Sequence, residues 1–487
     1  MTRIVAGSCH LRLIGGSLYR EPNMQITSLS ASALAAKIRA GDLSPVAVVE
    51  AHIARIEAVN PALNALVTPC YERARREAAH AETTAPQGLL HGVPITVKDS
   101  FDVAGVRATC GLTARADYFP EADATSVARL RAAGAIVLGK TNTPDNCFDQ
   151  ETVNLLFGRT NNPWDVRRTV GGSTGGEAAI IAAGGSPLGI GSDVAGSIRL
   201  PAAFTGIVGL RPTSGVVPAA GFWPEALGRL SDLNALGPMA RRVEDVALAF
   251  AVLMERTPQP LDLAALRGQR VAYWLDDGLT PSSAAVRGGV ESAVRALEQA
   301  GMRPAKGGPA ARRLAGLGWA AYFGPRERAL VAEGFGGGIA WEPLEEAKRS
   351  LRGEGRVTPG SLIFWLASHY GSLLLNALGV DGVRWRADLR AQLLELIGEG
   401  GVAVCPIFPT TAPRHGWTIP NVLATIHGQA WLNLAGLPGL TVPVGRSRNG
   451  MPVGVQIVGG PGAEQTILAA GMAVQRALMP VWQGPDL

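Results

Sequence analysis

The sequence predicts an α/β layered fold built as one large domain. Short apolar, strand-like runs alternate with amphipathic helical stretches from about residue 27 to the C-terminus. The 61 glycines and 33 prolines are spread through all 487 residues, and no long polar linker interrupts them. Length alone would suggest two or three domains. The even composition favours a single domain with insertions. Hydrophobic residues make up 47% and charged residues 17%, enough to bury a large core and too apolar for a disordered chain.

The elements follow in order. Residues 27–60 read as two helices. Ser28 or Ser30 caps the first, Leu34 and Ile38 line its apolar stripe, and Gly41 stops it. Ser44 caps the second, with Pro45 in its first turn and Val46, Val49, His52, Ile53 and Ile56 at helical spacing. Leu63–Val67 is a short strand and 70–82 an exposed charged helix. The run Val93–Val97 ends at Lys98–Asp99, putting a charged pair at a strand end. Residues 124–133 form an amphipathic helix and Ala135–Leu138 a strand. A Gly-rich block spans 171–215, where helix 176–184 separates two loops, and 241–255 is a further helix. Beyond 261 come strand Arg270–Trp274, helix 283–301 and a stretch, 310–400, rich in Trp, Leu and Ala. Segment 261–425 is expected to be a variable region that shapes a pocket, set between core segments 24–260 and 426–487. Strands Val402–Cys405, Leu440–Val444 and Gly454–Val458 and a helix near 465–477 complete the chain. Residues 1–23 read as an upstream extension, since Met24 directly precedes a helical pattern.

Charge excludes some partners. The net charge is only +5, from 45 basic and 40 acidic residues, and no Lys/Arg run resembles a nucleic-acid arm. Arg73, Arg75 and Arg76 are broken by Ala74 and followed by Glu77, as on a solvated helix face. Five scattered cysteines without a CxxC pair argue against a disulfide framework or a zinc site and suit a reducing compartment. No apolar run is long enough to span a bilayer, so a cytoplasmic chain without a transmembrane anchor is expected.

Two motifs mislead. Gly134-Ala-Ile-Val-Leu-Gly139-Lys140-Thr141 satisfies GxxxxGK[ST], but its four central residues belong in a buried strand rather than a phosphate loop. Gly171-Gly-Ser173-Thr-Gly175 matches GxSxG, yet an elbow needs an apolar strand running straight into the serine, and Asn161–Val170 is loop-like. The informative signal is the whole block 171–213. Two Gly-rich loops each present a serine, Ser173 and Ser197, 24 positions apart. Ser197 lies in Asp193-Val-Ala-Gly-Ser-Ile-Arg199, where small residues at 195 and 196 let successive backbone N–H groups converge. An oxyanion hole is built that way, each donor being worth about 10² to 10³ in rate.

The chain resembles the amidase signature family. The likeness runs from HGVPITVKDS through GKTNTPDN and NLLFGRTNNPWD, across 171–213, to LAGLPGLTVPVG and GMPVGVQIVGG. It implies a mixed, twisted central sheet covered by helices on both faces. It also implies Lys98 as the catalytic lysine, Ser173 after a cis bond from Gly172, and Ser197 as nucleophile. The amides of Val194, Ala195, Gly196 and Ser197 correspond to the oxyanion hole, with Asp193 and Arg199 as polar supports. Ala195 stands where the family usually has glycine, and Thr174 replaces a commoner second serine; neither change removes a catalytic group.

The implied chemistry is amide hydrolysis without metal or cofactor. Neutral Lys98 accepts the Ser197 proton through the Ser173 hydroxyl, Ser173 then protonates the departing amine, and water attacks the acyl-enzyme. Lysine can do this only if burial lowers its pKa, and Asp99 would oppose that if its carboxylate turned inward. Acylation should then fall as the pH drops. His91 is read as a loop or core residue. The aromatics Trp274, Trp319, Phe323, Trp341, Phe364, Trp365, Trp385 and Trp417 suggest an apolar or aryl acyl pocket, and CPIFPTTAPRHG resembles the fatty-acid amide hydrolase branch. The expected partner is a small-molecule amide, with no nucleic acid; a homodimer is left open. The alternatives are an esterase or urethanase with the same triad, or a glutaminase subunit of a tRNA-dependent amidotransferase. The latter typically carries Gln after Ser-Ile-Arg, where this chain has Leu200.

Overall fold

The computed structural model describes residues 13–14, 17–18 and 26–487. The expected extension, residues 1–23, lies outside the described residues except for the paired strands Leu13–Ile14 and Ser17–Leu18. The first two helices form as the sequence dictates. Ser30 caps Ala31–Ala40, which ends at Gly41, and Ser44 caps Pro45–Leu63.

An 11-stranded sheet organises the rest. In chain order its strands are β1 (Leu66–Pro69), β2 (Pro94–Lys98), β3 (Ile136–Thr141), β4 (Leu188–Asp193), β5 (Val208–Arg211), β6 (Ala235–Ala240), β7 (Arg270–Tyr273), β8 (Arg303–Lys306), β9 (Val402–Cys405), β10 (Gly439–Arg446) and β11 (Pro452–Val458). Their spatial order is β8-β7-β9-β11-β10-β5-β6-β4-β2-β3-β1. β4, β2 and β3 run parallel, as do β8, β7 and β9, whereas the joins through β11, β10, β5 and β6 are antiparallel. The sheet is therefore mixed.

Strand alternation sorts its two faces. Ile95, Val97, Ile190, Leu210, Leu440, Val442, Val455 and Ile457 point into one apolar core, shared with helices Ala31–Ala40, Val243–Leu253, Ala284–Gln299 and Glu464–Leu478. The intervening positions include Thr96, Lys98, Gly189, Arg211, Thr441 and Gln456, all buried. Helices Gly175–Ala182 and Arg199–Thr205 pack over that second face, against smaller apolar clusters.

Two expectations need correction. The block 171–215 is not helix and loop alone, because β4 and β5 lie within it. Its glycines look like loop residues but mark close packing. A Cβ on Gly189 would stand 1.8 Å from the Glu177 carboxyl, so the neighbouring helix can seat on the strand only where the side chain is absent. Segment 261–425 is likewise more than an insertion, since β7, β8 and β9 complete one edge of the central sheet.

Candidate active site

β2 ends at Lys98, whose side chain is fully buried. Its amine donates to Ser173 Oγ at 2.7 Å, Ser192 Oγ at 2.9 Å and Thr174 Oγ1 at 3.2 Å. Asp99 turns elsewhere: its carboxylate accepts from Lys140 Nζ at 3.1 Å and from the Thr109 amide and hydroxyl. The charge that could have tied up Lys98 is thus neutralised by the lysine of the P-loop-like motif. That motif is strand β3, buried throughout, so its amides belong to the sheet and not to a phosphate.

Ser173 follows a cis Gly172–Ser173 bond. Its carbonyl accepts from Thr143 Oγ1 at 2.9 Å, which fixes the loop from below. The strand preceding it, Asp165–Thr169, pairs with Asn161–Asn162 in a hairpin separate from the central sheet, so the elbow geometry is absent here. The adjoining Thr174 amide donates to the Ser197 carbonyl at 3.1 Å, joining the two serine loops directly. Lys98 therefore touches Ser173 and not Ser197. The Ser197 residue is only partly buried, at the head of helix Arg199–Thr205.

Asp193 organises the second loop. Its carboxylate accepts from the Gly196 amide at 2.7 Å, the Ile198 amide at 3.2 Å and Arg199 Nε at 3.0 Å. Asn433 Nδ2 adds contacts of 2.9 Å to the Asp193 carbonyl and 2.8 Å to its carboxylate. Burial opposes the Asp193 charge, but Arg199, Arg211 and Asn433 outweigh it and hold the carboxyl well below the usual range. Arg199 is in turn held by Gln456 Oε1 at 2.7 Å and Asn433 Oδ1 at 2.6 Å. Asp193 and Arg199, expected as loop supports, thus share one buried hydrogen-bond network.

The oxyanion-hole expectation changes at one position. Gly196 adopts φ +105° and spends its amide on Asp193, so it offers nothing to a substrate. Among the described residues, the amides of Val194, Ala195 and Ser197 have no intramolecular acceptor. Three free amides thus flank Gly196 on this loop.

An aromatic wall stands beside this loop. Phe148 packs against Phe364, Trp365, Phe335 and Trp319 at ring distances of 4.9, 5.6, 5.8 and 6.5 Å. Trp319 Nε1 donates to the Val194 carbonyl at 3.1 Å, linking that wall to the oxyanion loop. Other aromatics of the segment serve different ends. Trp274 packs on Trp431 and Trp417 is 59% exposed, whereas Trp341 stacks on Phe335 and so extends the wall.

Sequence reasoning missed Ser192, Thr143, Glu177, Asn433 and Gln456. Glu177 sits beneath Lys98, accepting from Thr96 and from Thr141 Oγ1 at 2.8 Å, and burial pushes it up to about 8. Only the Gly-Gly-Glu sequence after Ser173 hinted at it. His91 bridges the Ala81 carbonyl and the Gln87 amide, a loop role as expected. Leu200, weighed as a mark of substrate type, packs with Phe204, Ile407 and Phe408 and does not face Lys98.

The amidase family model matches residues 47–322 and 367–468. The chain belongs to the amidase family. Fatty-acid amide hydrolase 2-B of Danio rerio is 34% identical over 490 residues, covering 93% of this chain and 90% of that protein. The glutamyl-tRNA(Gln) amidotransferase subunit of Anaeromyxobacter dehalogenans is also 34% identical, over 96% of this chain and 99% of its own. Among solved structures, 6-aminohexanoate cyclic dimer hydrolase superposes with a TM-score of 0.77 at 26% identity, covering 94% and 99% of the two chains. The protein is an amide hydrolase of this family, with its mixed α/β fold. No single described helix is long and apolar enough to cross a membrane.

Proposed function

We propose that the chain hydrolyses apolar or aryl/acyl carboxylic amides through an acyl-enzyme on Ser197. The contact between buried Lys98 and Ser173 carries this reading, because it joins a proton acceptor to a hydroxyl relay with no competing carboxylate on the amine. In its neutral form Lys98 takes a proton from Ser173 as Ser173 takes one from Ser197. The Ser197 oxygen then attacks the amide carbonyl, and the amides of Val194, Ala195 and Ser197 stabilise the oxyanion. Ser173 returns the proton to the leaving nitrogen, and water repeats the cycle on the acyl-enzyme.

The aromatic wall supports an apolar acyl group. Trp319 and Phe148 adjoin the loop that holds the carbonyl, so an acyl chain extending from Ser197 would lie along them. In this reading the whole chain acts as one amidase domain, and segment 261–425 contributes that wall. In the same reading the chain works in a reducing, cytoplasmic setting. The similar proteins include a fatty-acid amide hydrolase and an amidotransferase subunit, so a substrate panel decides between them. Benzamide, a long-chain acyl amide, an anilide, a p-nitrophenyl ester and glutamine would be compared on wild type, Ser197→Ala and Lys98→Ala. Turnover of apolar amides, abolished by Ser197→Ala and reduced at least 100-fold by Lys98→Ala, is expected (about 10²–10⁴ for a positioned base). Full activity in Ser197→Ala would overturn the triad, and preference for glutamine would favour the amidotransferase reading.

A further inference from the structure

We propose that Cys110 and Cys147 form a peroxide-sensitive dithiol beside Lys98, and that its oxidation to a disulfide switches hydrolysis off. The regulatory part rests on the active-site reading above; the modification itself does not.

The two cysteines are 37 positions apart, yet their sulfurs lie 3.4 Å from each other. The backbone holds them there: the Cys110 amide donates to the Asp99 carbonyl and the Asn146 amide to the Cys110 carbonyl, each at 3.0 Å. Both residues occupy left-handed backbone, at φ 53° and 59°, which non-glycine residues adopt only when the surroundings impose it. Cys110 is fully buried, whereas the Cys147 residue is partly exposed. Thr143 Oγ1 lies 3.4 Å from the Cys147 sulfur. Burial opposes ionisation at both thiols. At Cys147 the Cys110 contact and the nearby Lys98 charge outweigh it and pull the thiol well below its ordinary range, while at Cys110 burial prevails and pushes it well above.

The pair thus has an attacking and a resolving partner. Cys147 thiolate attacks a peroxide oxygen and the O–O bond breaks, leaving Cys147 sulfenic acid and hydroxide, which takes up the original thiol proton as water. The Cys110 sulfur then attacks the Cys147 sulfur, the S–O bond breaks, and a second water leaves as the disulfide forms. Two thiols are oxidised and one peroxide is reduced to two waters. Closing the gap to about 2.05 Å draws the sulfurs together by about 1.4 Å. The loop that moves carries Phe148 of the aromatic wall, and the same Thr143 hydroxyl that meets Cys147 holds the Ser173 carbonyl. A 1 Å misplacement at a catalytic centre costs up to about 100-fold.

The test treats the full chain with hydrogen peroxide and maps peptides by mass spectrometry without reduction, while hydrolysis is measured before, after and following dithiothreitol. A Cys110–Cys147 cross-link, with activity reduced at least tenfold and restored by dithiothreitol, is expected. Cys110→Ser, and Cys110→Ala as a variant that keeps the buried site apolar, should hydrolyse normally when reduced. After peroxide each should form no such cross-link and instead carry a Cys147 sulfenic acid trapped by dimedone. Both thiols remaining free in wild type would overturn the dithiol. A cross-link with unchanged hydrolysis would overturn the switch. A wild-type chain inactive toward every amide would instead overturn the active-site reading, leaving the cross-link still measurable.

Discussion

Glu177 gives a test of how the site is held together, through the substitution Glu177→Gln. The carboxyl sits on helix Gly175–Ala182, immediately after Ser173, and ties Thr96 of β2 to Thr141 of β3 on either side of Lys98. Burial pushes it from 4.5 up to about 8, despite the two threonine hydroxyls and Lys98, which favour its charge. The folded state therefore keeps this proton where the unfolded chain has lost it, so between those values stability falls as pH rises. The contribution is whole below pH about 4.5 and disappears as the pH climbs through about 8. The slope is about 1.4 kcal/mol per pH unit and halves at the folded pKa, giving a loss of about 2 kcal/mol between pH 6 and pH 8. Glutamine has nearly the same shape and does not titrate. Urea unfolding of both proteins at pH 6, 7 and 8 isolates the effect, because other buried groups such as Asp149 and His52 titrate identically in the two. Wild-type stability minus that of Glu177→Gln should fall by that amount across the series. A difference that stays flat with pH would refute the idea that Glu177 is neutral in the folded protein.

Two further predictions concern the Ser197 loop. Asp193→Asn leaves buried Arg199 and Arg211 without their carboxylate, and urea unfolding should register a loss of about 3–5 kcal/mol. A loss under about 1 kcal/mol would mean that Asn433 and Gln456 suffice to hold Arg199. Gly196→Ala adds a Cβ 2.9 Å from Gln429 at φ +105°, where an L side chain is strained. Fluorophosphonate labelling of Ser197 should slow at least tenfold in that variant, and an unchanged rate would show that Gly196 does not aim the oxyanion donors.

Much of this was legible in the chain because it depends on neighbours in sequence. Ser30, Gly41, Ser44 and Pro45 bound their helices through local hydrogen bonds and fixed dihedrals, and the apolar runs at 93–97 and 402–405 emerged as strands. The family likeness pointed to Lys98, Ser173, Ser197, Asp193 and Arg199, and each takes part in the two serine loops or the lysine contact beneath them. What depends on distant partners was not readable. The glycines of β4 looked like loop because their reasons, the Glu177 side chain for Gly189 and the Thr174 side chain for Gly191, lie on a neighbouring segment over the sheet face. Gly196 was expected to donate to substrate, and only the folded loop directs its amide to Asp193. Asp99 and Lys140 found each other across two strands, and Cys110 and Cys147 across 37 residues. A sequence states which groups are present and how they are spaced along one chain. Which of them share a buried volume, and therefore neutralise, hydrogen-bond or oxidise one another, is decided by the packing of strands and helices that sequence separation does not encode.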